Sequence, residues 1–418
     1  MDRISHMSQG LVASPVLRTF SQVGKKCADD VVIVCALRTP LTKAGKGLLK
    51  DTPAEEMFAG VLKGLIQQSG VDPKSIGDTI VGNVLMAGSG AMLFRASQIL
   101  AGLPIRVPLT ATNRLCSSGL EACALVAAKI KAGLIDVGVA GGAESMSTLG
   151  LKDLIDESRV SKEVRTNRIA SDVLVPMGQC SEILTTKYGL NRKALDLFAA
   201  ESHRKAAVAQ KEGRFRSEIV PLTVTVKDKS GAEKRVTVTS DDGVREQTTE
   251  ESLAKLRPAF RKDGCSTAGN SSQTTDGAAA VLLCSRRAAE AQGLRILGKF
   301  ITHAAVGVQP ELMGIGPAEA IPIALRNAGL SVNDIDIFEI NEAFASQCSF
   351  CADELGIPPS KINPNGGAIA FGHPLGATGA RQIATLFAEL HRTKKRLGVV
   401  SMCIGSGQGA AGVFEAEW

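Results

Sequence analysis

Two cysteines and one histidine, each set among glycines, are the residues of this chain best suited to chemistry. Cys116 stands in Asn113-Arg114-Leu115-Cys116-Ser117-Ser118-Gly119, and Cys403 in Ser401-Met402-Cys403-Ile404-Gly405-Ser406-Gly407. His373 follows Gly366-Gly367-Ala368-Ile369-Ala370-Phe371-Gly372 and precedes Pro374-Leu375-Gly376. Two thiols and an imidazole suffice for acyl transfer onto sulfur in either direction, one thiol being acylated while the other moves a proton. Cys116 lies just before a helical pattern, so a thiolate there would gain from the helix dipole and from free backbone N–H groups; a buried cysteine at a strand-to-helix turn is the plainer alternative. His373 can draw the proton from Cys116 and then stabilise a developing oxyanion. His6, His203, His303 and His391 lack such a setting. Cys403 ends an apolar run and leads into Gly405, Gly407 and Gly409, the kind of strand end where α/β proteins place ligands. It is the candidate acid and base, with Gly405 offering a backbone N–H. Asn341, in Asn341-Glu342-Ala343-Phe344, could anchor a water that donates to an enolate oxygen; an ordinary helix cap is the alternative.

These residues need strands and helices to hold them. Asp30–Ala36 is a β-branched apolar run, read as a buried strand, and Ala54–Ser69 has helical periodicity stopped by Gly70. Ile80–Val84 reads as a strand, Ser118–Ala132 as a helix and Val137–Ala140 as a strand. The order then repeats: strand Gly298–Ala305, helix Pro317–Ala328, strand Ile335–Ile340, helix Gly376–Leu390 and strand Val399–Cys403. Gly70-Val71-Asp72-Pro73-Lys74-Ser75-Ile76 beside Gly329-Leu330-Ser331-Val332-Asn333-Asp334-Ile335 shows the repeat directly. Alternating strands and helices imply an α/β fold with a largely parallel sheet, here in two packed copies. Between the copies, residues 148–271 carry 22 Lys and Arg against 18 Asp and Glu, and Leu222–Val226 and Arg235–Thr239 flank the turn Lys229-Ser230-Gly231 as a hairpin.

Composition narrows the function. Hydrophobic residues are 44%, enough for a large core, and aromatics only 4%, which disfavours a nucleic-acid binder built on base stacking. No apolar run reaches the roughly 18 residues of a membrane span. The net charge of +6 is not gathered into a basic patch, since His391–Arg396 reads as a helix C-terminus. Ten scattered cysteines fit a reducing compartment rather than a disulfide framework, and Cys348 and Cys351 read as core cysteines on a helix. No metal-ligand cluster appears. Gly407–Gly412 matches GxGxxG, but with six residues after it no βαβ unit is expected, which speaks against dinucleotide binding.

Residues 1–27 stand apart as a targeting or tag segment. Arg3-Ile4, then five residues and Gly10-Leu11, nearly matches an N-terminal peroxisomal signal, which expects His or Gln at Gly10; a mitochondrial presequence is the rival. Ser5-His6-Met7 looks like a cloning scar.

The Cys116, His373, Cys403 and Asn341 motifs together resemble the thiolase family, and its degradative, peroxisomal-type 3-ketoacyl-CoA branch in particular, over about residues 30–415. The resemblance implies duplicated βαβαβαββ halves forming a five-layered α-β-α-β-α core with an inserted loop domain. The N-terminal half would be 28–147 plus 272–294, the CoA-holding loop domain 148–271, and the C-terminal half 295–418. It also implies that Cys116 is acylated, that His373 and an Asn341-bound water form one oxyanion hole, and that the N–H groups of Cys116 and Gly405 form another. Ser272 and Arg245 match CoA contacts, and Met313 a position lining the acyl region. Expected partners are 3-ketoacyl-CoA and CoA as substrates, with no bound cofactor or metal, in a homodimer or homotetramer. The rivals are a biosynthetic acetoacetyl-CoA thiolase, a decarboxylating ketoacyl synthase, and a non-enzymatic lipid-binding or scaffold protein of the same fold.

Overall fold

The computed structural model describes residues 19–228 and 230–418; the residues before Thr19, with the Arg3-Ile4 motif, and Lys229 of the hairpin turn lie outside them. The strands are β1 (Val31–Arg38), β2 (Thr42–Lys43), β3 (Asp78–Gly82), β4 (Leu109–Thr112), β5 (Val137–Ser145), β6 (Leu222–Lys227), β7 (Glu233–Val238), β8 (Thr275–Ser285), β9 (Gly298–Gly307), β10 (Ile337–Ile340), β11 (Leu397–Ile404) and β12 (Gln408–Ala416). The first half orders its strands β4-β3-β5-β8-β1 and the second β9-β12-β11-β10, joined where β1 and β9 pair briefly at Val32 and Ile33.

The expectation of a largely parallel sheet is corrected. Only β3–β4, β3–β5 and β10–β11 are parallel. In each half the last strand inserts antiparallel to both neighbours: β8 between β1 and β5, β12 between β9 and β11. The cause is the connection. β11 and β12 are joined by Gly405-Ser406-Gly407, with φ of 69° at Ser406 and 82° at Gly407, a tight hairpin that must reverse the chain. β5 and β8 are the same hairpin with residues 146–274 inserted at its tip, since Ser145 pairs with Asp276. The β6–β7 hairpin belongs to this excursion.

Both faces of each half are covered, which explains why the strands read as unbroken apolar runs. In β1, Val31 and Ile33 face one hydrophobic cluster while Val32 and Val34 face another. The outer cluster packs on the helix Ala54–Ser69 (α1), closed by Gly70 at φ 69° as its sequence signals. The middle cluster holds the helices Ser118–Lys131 (α2) and Thr378–Thr393 (α3) between the two halves' strands. The third cluster packs the far face of β9–β12 against the helix Gly316–Ala328. Helix, sheet, paired helices, sheet, helix: the five layers follow from three apolar clusters. Among the described residues no helix is long and apolar enough to cross a membrane.

The two central helices meet through glycines. A Cβ on Gly119 would stand 2.8 Å from the Gly376 carbonyl oxygen, and one on Gly379 would strike the backbone of Leu120. On β5, a Cβ at Gly142 would overlap that same Gly376 carbonyl. Gly142→Ala should therefore destabilise the fold by about 3 kcal/mol or more, above the usual cost of overpacking, as read from urea unfolding followed by circular dichroism.

Candidate active site

Cys116 lies at the approach to α2, and the backbone before it is strained. Leu115 has φ 47°, a region an L residue with a branched side chain seldom enters. Polar contacts over-determine it: the Leu115 N–H donates to Asn113 Oδ1 at 2.8 Å, and Ser118 Oγ donates to the Leu115 carbonyl at 2.6 Å while accepting from the Arg114 N–H at 2.9 Å. Arg114 is itself paired with Glu121 at 2.9 Å. The backbone N–H groups of Gly405 and of Cys116 itself lie near enough to the sulfur to favour its thiolate form.

The sequence led us to expect a stabilised thiolate. The structure reverses this: burial pushes the Cys116 thiol up to about 11 although the two N–H groups pull it down. Cys116 is 4% exposed, and desolvation exceeds what the helix terminus returns. Cys403, at the end of β11, is 1% exposed and is also held well above the usual thiol range, first by burial and next by the charge of Cys116. The two sulfurs are thus electrostatically coupled, so that one thiolate keeps the other protonated.

His373 hangs between two turns. Gly372 has φ 109°, and a Cβ there would strike the Thr275 side chain, so only glycine fits. The His373 N–H donates to the Gln273 carbonyl at 3.1 Å and to Thr275 Oγ1 at 3.2 Å. Its ring is oriented by Thr378, whose hydroxyl donates to the Pro374 carbonyl at 3.1 Å. That single proton being used, His373 Nδ1–H must donate to Thr378 Oγ1, 2.6 Å away. Nε2 then carries the lone pair and faces Asn341 Nδ2 at 3.3 Å. Burial, reinforced by Arg381, lowers the imidazole to about 3, so it rests neutral. Asn341 Oδ1 is buried and has no hydrogen-bond partner among the described residues. Asn341 is not a helix cap: the helix Ala345–Glu354 is capped at Phe344.

Of the remaining sequence candidates, Gly405 lies at the Cys116 sulfur as stated. Met313 is 2% exposed and clusters with Cys403, Ala343 and Phe344. The Ser272 N–H donates to the Ala343 carbonyl at 3.0 Å, which sets it beside the Asn341 segment. Arg245 is exposed on the excursion, its N–H donating to His203 Nδ1 at 3.2 Å, and no contact joins it to the sulfurs. Cys348 and Cys351 are buried on their helix.

Sequence reasoning missed Thr378 and Glu144. Thr378 was legible as a hydroxyl five residues after His373 at a helix start. Glu144, a lone acid in the apolar run of β5, accepts from the N–H groups of Val84, Leu85 and Gly376 and from Asn83 Nδ2, all at 3.0–3.2 Å. It ties the loop after β3 to the His373 loop, and burial pushes it up to about 7 against those four bonds. Its signal was a carboxylate at the end of a run of seven apolar or glycine residues, Val137–Ala143.

Two measurements check this geometry. Iodoacetamide inactivation should accelerate about tenfold per pH unit from pH 7 to 9, because the thiolate fraction of a high-pKa cysteine grows at that rate; a rate already level at pH 6 would contradict the neutral thiol and imidazole. Thr378→Val should lower kcat by about tenfold while leaving folding intact, since only the imidazole's orientation is lost.

Family models for the thiolase N-terminal domain and the thiolase C-terminal domain match residues 31–287 and 294–416. Peroxisomal 3-ketoacyl-CoA thiolase B of Rattus norvegicus is 53% identical over 412 residues, 98% of this chain and 96% of that protein. The peroxisomal 3-ketoacyl-CoA thiolase of Yarrowia lipolytica is 52% identical over the full length of both. The crystal structure of the dimeric peroxisomal thiolase of Saccharomyces cerevisiae superposes with a TM-score of 0.86 at 45% identity, covering 94% of this chain and 99% of that one. Human mitochondrial 3-ketoacyl-CoA thiolase in complex with CoA superposes with a TM-score of 0.83 at 35% identity, covering 93% and 98%.

Proposed function

The chain belongs to the thiolase family, and from that premise we propose how its own residues carry out CoA-dependent cleavage of 3-ketoacyl-CoA to acetyl-CoA and a shortened acyl-CoA. It is an acyltransferase of fatty-acid β-oxidation, and its compartment is the peroxisome, as for relatives 52–53% identical over nearly the whole length. The observation that carries the mechanism is the trio of one neutral imidazole, whose Nε2 lone pair faces Asn341 Nδ2, and two coupled, protonated thiols.

His373 Nε2 takes the Cys116 proton, and the thiolate attacks the 3-keto carbon. The C2–C3 bond breaks, leaving an acyl group on Cys116 and the enolate of acetyl-CoA. His373 and a water held by Asn341 Oδ1 stabilise the enolate oxygen, and Cys403 protonates C2. The Cys403 thiolate then takes the thiol proton of incoming CoA. The CoA thiolate attacks the acyl-enzyme, whose oxyanion is held by the N–H groups of Cys116 and Gly405, and the departing Cys116 sulfur regains its proton from His373. Protons balance over the cycle, and the two half-reactions make it ping-pong. No metal or prosthetic group takes part; CoA is a substrate.

Residues 148–271 are assigned to holding CoA. Support comes from their basic surplus, from Ser272 beside the Asn341 segment and from exposed Arg245. The assembly is assigned as a homodimer. The edge strand β4 has β3 on one side only, and the helix Ala91–Leu100 turns Met92, Leu93, Ala96, Ile99 and Leu100 outward as an apolar stripe, Met92 being 87% exposed.

The deciding experiment assays cleavage of acetoacetyl-CoA and of medium and long 3-ketoacyl-CoAs, beside Cys116→Ala. Cleavage of the longer substrates, reduced at least about a thousandfold in the variant, supports the degradative reading; activity confined to acetoacetyl-CoA would assign the biosynthetic one. Met92→Arg with Leu100→Arg should convert the protein to a monomer in light scattering, and a persisting dimer would move the interface elsewhere.

A further inference from the structure

One face of α3 is polar although the helix is sealed between two sheets. Thr378, Arg381, Gln382 and Thr385 are each at most 1% exposed, while Ala380, Ile383, Ala384, Leu386 and Phe387 supply the apolar remainder. Thr378 orients His373, Gln382 donates to the Glu339 carbonyl at 2.8 Å, and Thr385 donates to Glu218 at 3.1 Å. Arg381 does something different. Its guanidinium lies 5.1 Å from the centre of the Phe371 ring, and its NH1 group stands 3.6 Å from Glu339 Oε2. Phe371 is two residues before His373. Glu339 is on β10, two residues before Asn341, which follows the strand's last residue, Ile340.

We propose that Arg381 and Glu339 are positioning residues for the His373–Asn341 pair: one buried cation, held between Phe371 and Glu339, sets the spacing between the loop that carries the imidazole and the strand end that carries the amide. The proposal rests on the oxyanion-hole role assigned above to His373 and Asn341.

Stability does not account for this pair. At 3.6 Å it makes no close hydrogen bond, and Arg381 Nε and NH1 and Glu339 Oε1 are buried without partners among the described residues. Taking both charges out of water costs more than so loose a contact returns, and apolar residues of similar volume would fill the space at least as well. Burial, with the charges of Glu218, Glu342 and Glu389, pushes Glu339 up to about 8 against the pull of Arg381. What the pair supplies is reach and direction: a planar cation over the Phe371 ring and beside the Glu339 carboxyl links the two segments at a second point, besides the bond from the Ile369 N–H to Glu342 Oε2 at 3.2 Å. Phe371 is steadied from behind by Phe215 at 5.6 Å between ring centres, and Phe215 by Arg38, which binds Glu218 at 2.6 Å and Asp241 at 2.7 Å. The clamp therefore has a firm backing in residues of the excursion.

The test is the double variant Arg381→Met/Glu339→Leu, with Glu339→Gln as the single change. Replacing both charges removes the clamp without leaving a lone buried ion, so the thermal midpoint should equal or exceed that of the unsubstituted enzyme. KM for acetoacetyl-CoA should stay within about twofold, while kcat for cleavage falls about tenfold or more, the cost of loosening a catalytic pair by a fraction of an ångström. Exchange of acetyl groups between acetyl-CoA and isotopically labelled CoA, which needs His373 as a base but not the Asn341-held water, should fall several-fold less than cleavage in the same protein. Unchanged cleavage, or equal losses in cleavage and exchange, would overturn the proposal. Failure of the unsubstituted enzyme to cleave acetoacetyl-CoA would instead strike the functional reading on which it rests.

Discussion

Two helices from opposite halves of the chain touch at their N-terminal ends, and glycine makes the contact possible. Gly119 meets the backbone of Gly376 and Ala380, and Gly379 meets that of Leu120. Side chains there would force α2 and α3 apart. Cys116 lies two residues before one helix and His373 five before the other, so a backbone-to-backbone contact, rather than flexible side chains, ties together the two segments that carry them. Gly142 extends the same constraint to β5, whose last residues lead to Glu144 and so to both loops. Pre-organisation of this kind lets a site hold reacting groups without rearranging them in the transition state.

Depth inside the molecule then decides the charge states. Cys116, Cys403 and His373 are all nearly sealed from solvent, and burial drives each towards its neutral form, the thiols upward and the imidazole downward. A resting thiolate–imidazolium pair is disfavoured. Charge appears only when substrate brings a carbonyl to accept it, at positions where N–H groups and an amide already stand. The same low polarity makes every polar contact in the neighbourhood matter: Thr378 holds the His373 ring, and Glu144 ties the loop after β3 to the His373 loop.

The excursion at residues 146–274 has a simple topological origin. It replaces a three-residue hairpin tip with a long chain that leaves and returns beside the site, so Gln273 and Thr275 can hold His373 while Ser272 touches the Asn341 segment. In the second half the unexpanded tip keeps Gly405 against the Cys116 sulfur. Duplicated halves thus supply different parts of one centre because one hairpin grew and the other did not.

Much of this was legible in the chain. The apolar runs of β1 and β11, the helical periodicity of α1 with its Gly70 stop, and the repeated segments after Gly70 and Gly329 announced two α/β halves, because burial on both faces leaves a continuous hydrophobic signature. Cys116, His373 and Cys403 stood out because reactive side chains among glycines suit few purely structural roles, and Asn341 stood out through the motif resemblance. Strand direction was not, since an apolar run carries no sign, and only the short turn at Gly405-Ser406-Gly407 and the pairing of Ser145 with Asp276 make β8 and β12 antiparallel. Nor were the charge states: a cysteine before a helix suggests a thiolate, and burial, a property of the whole molecule, reverses it. Glu144, Thr378 and Arg381 acquire their roles from partners distant in sequence or from an atom-level geometry that spacing does not encode. Residue identity determined which chemistry was available; packing decided which protons are in place to perform it.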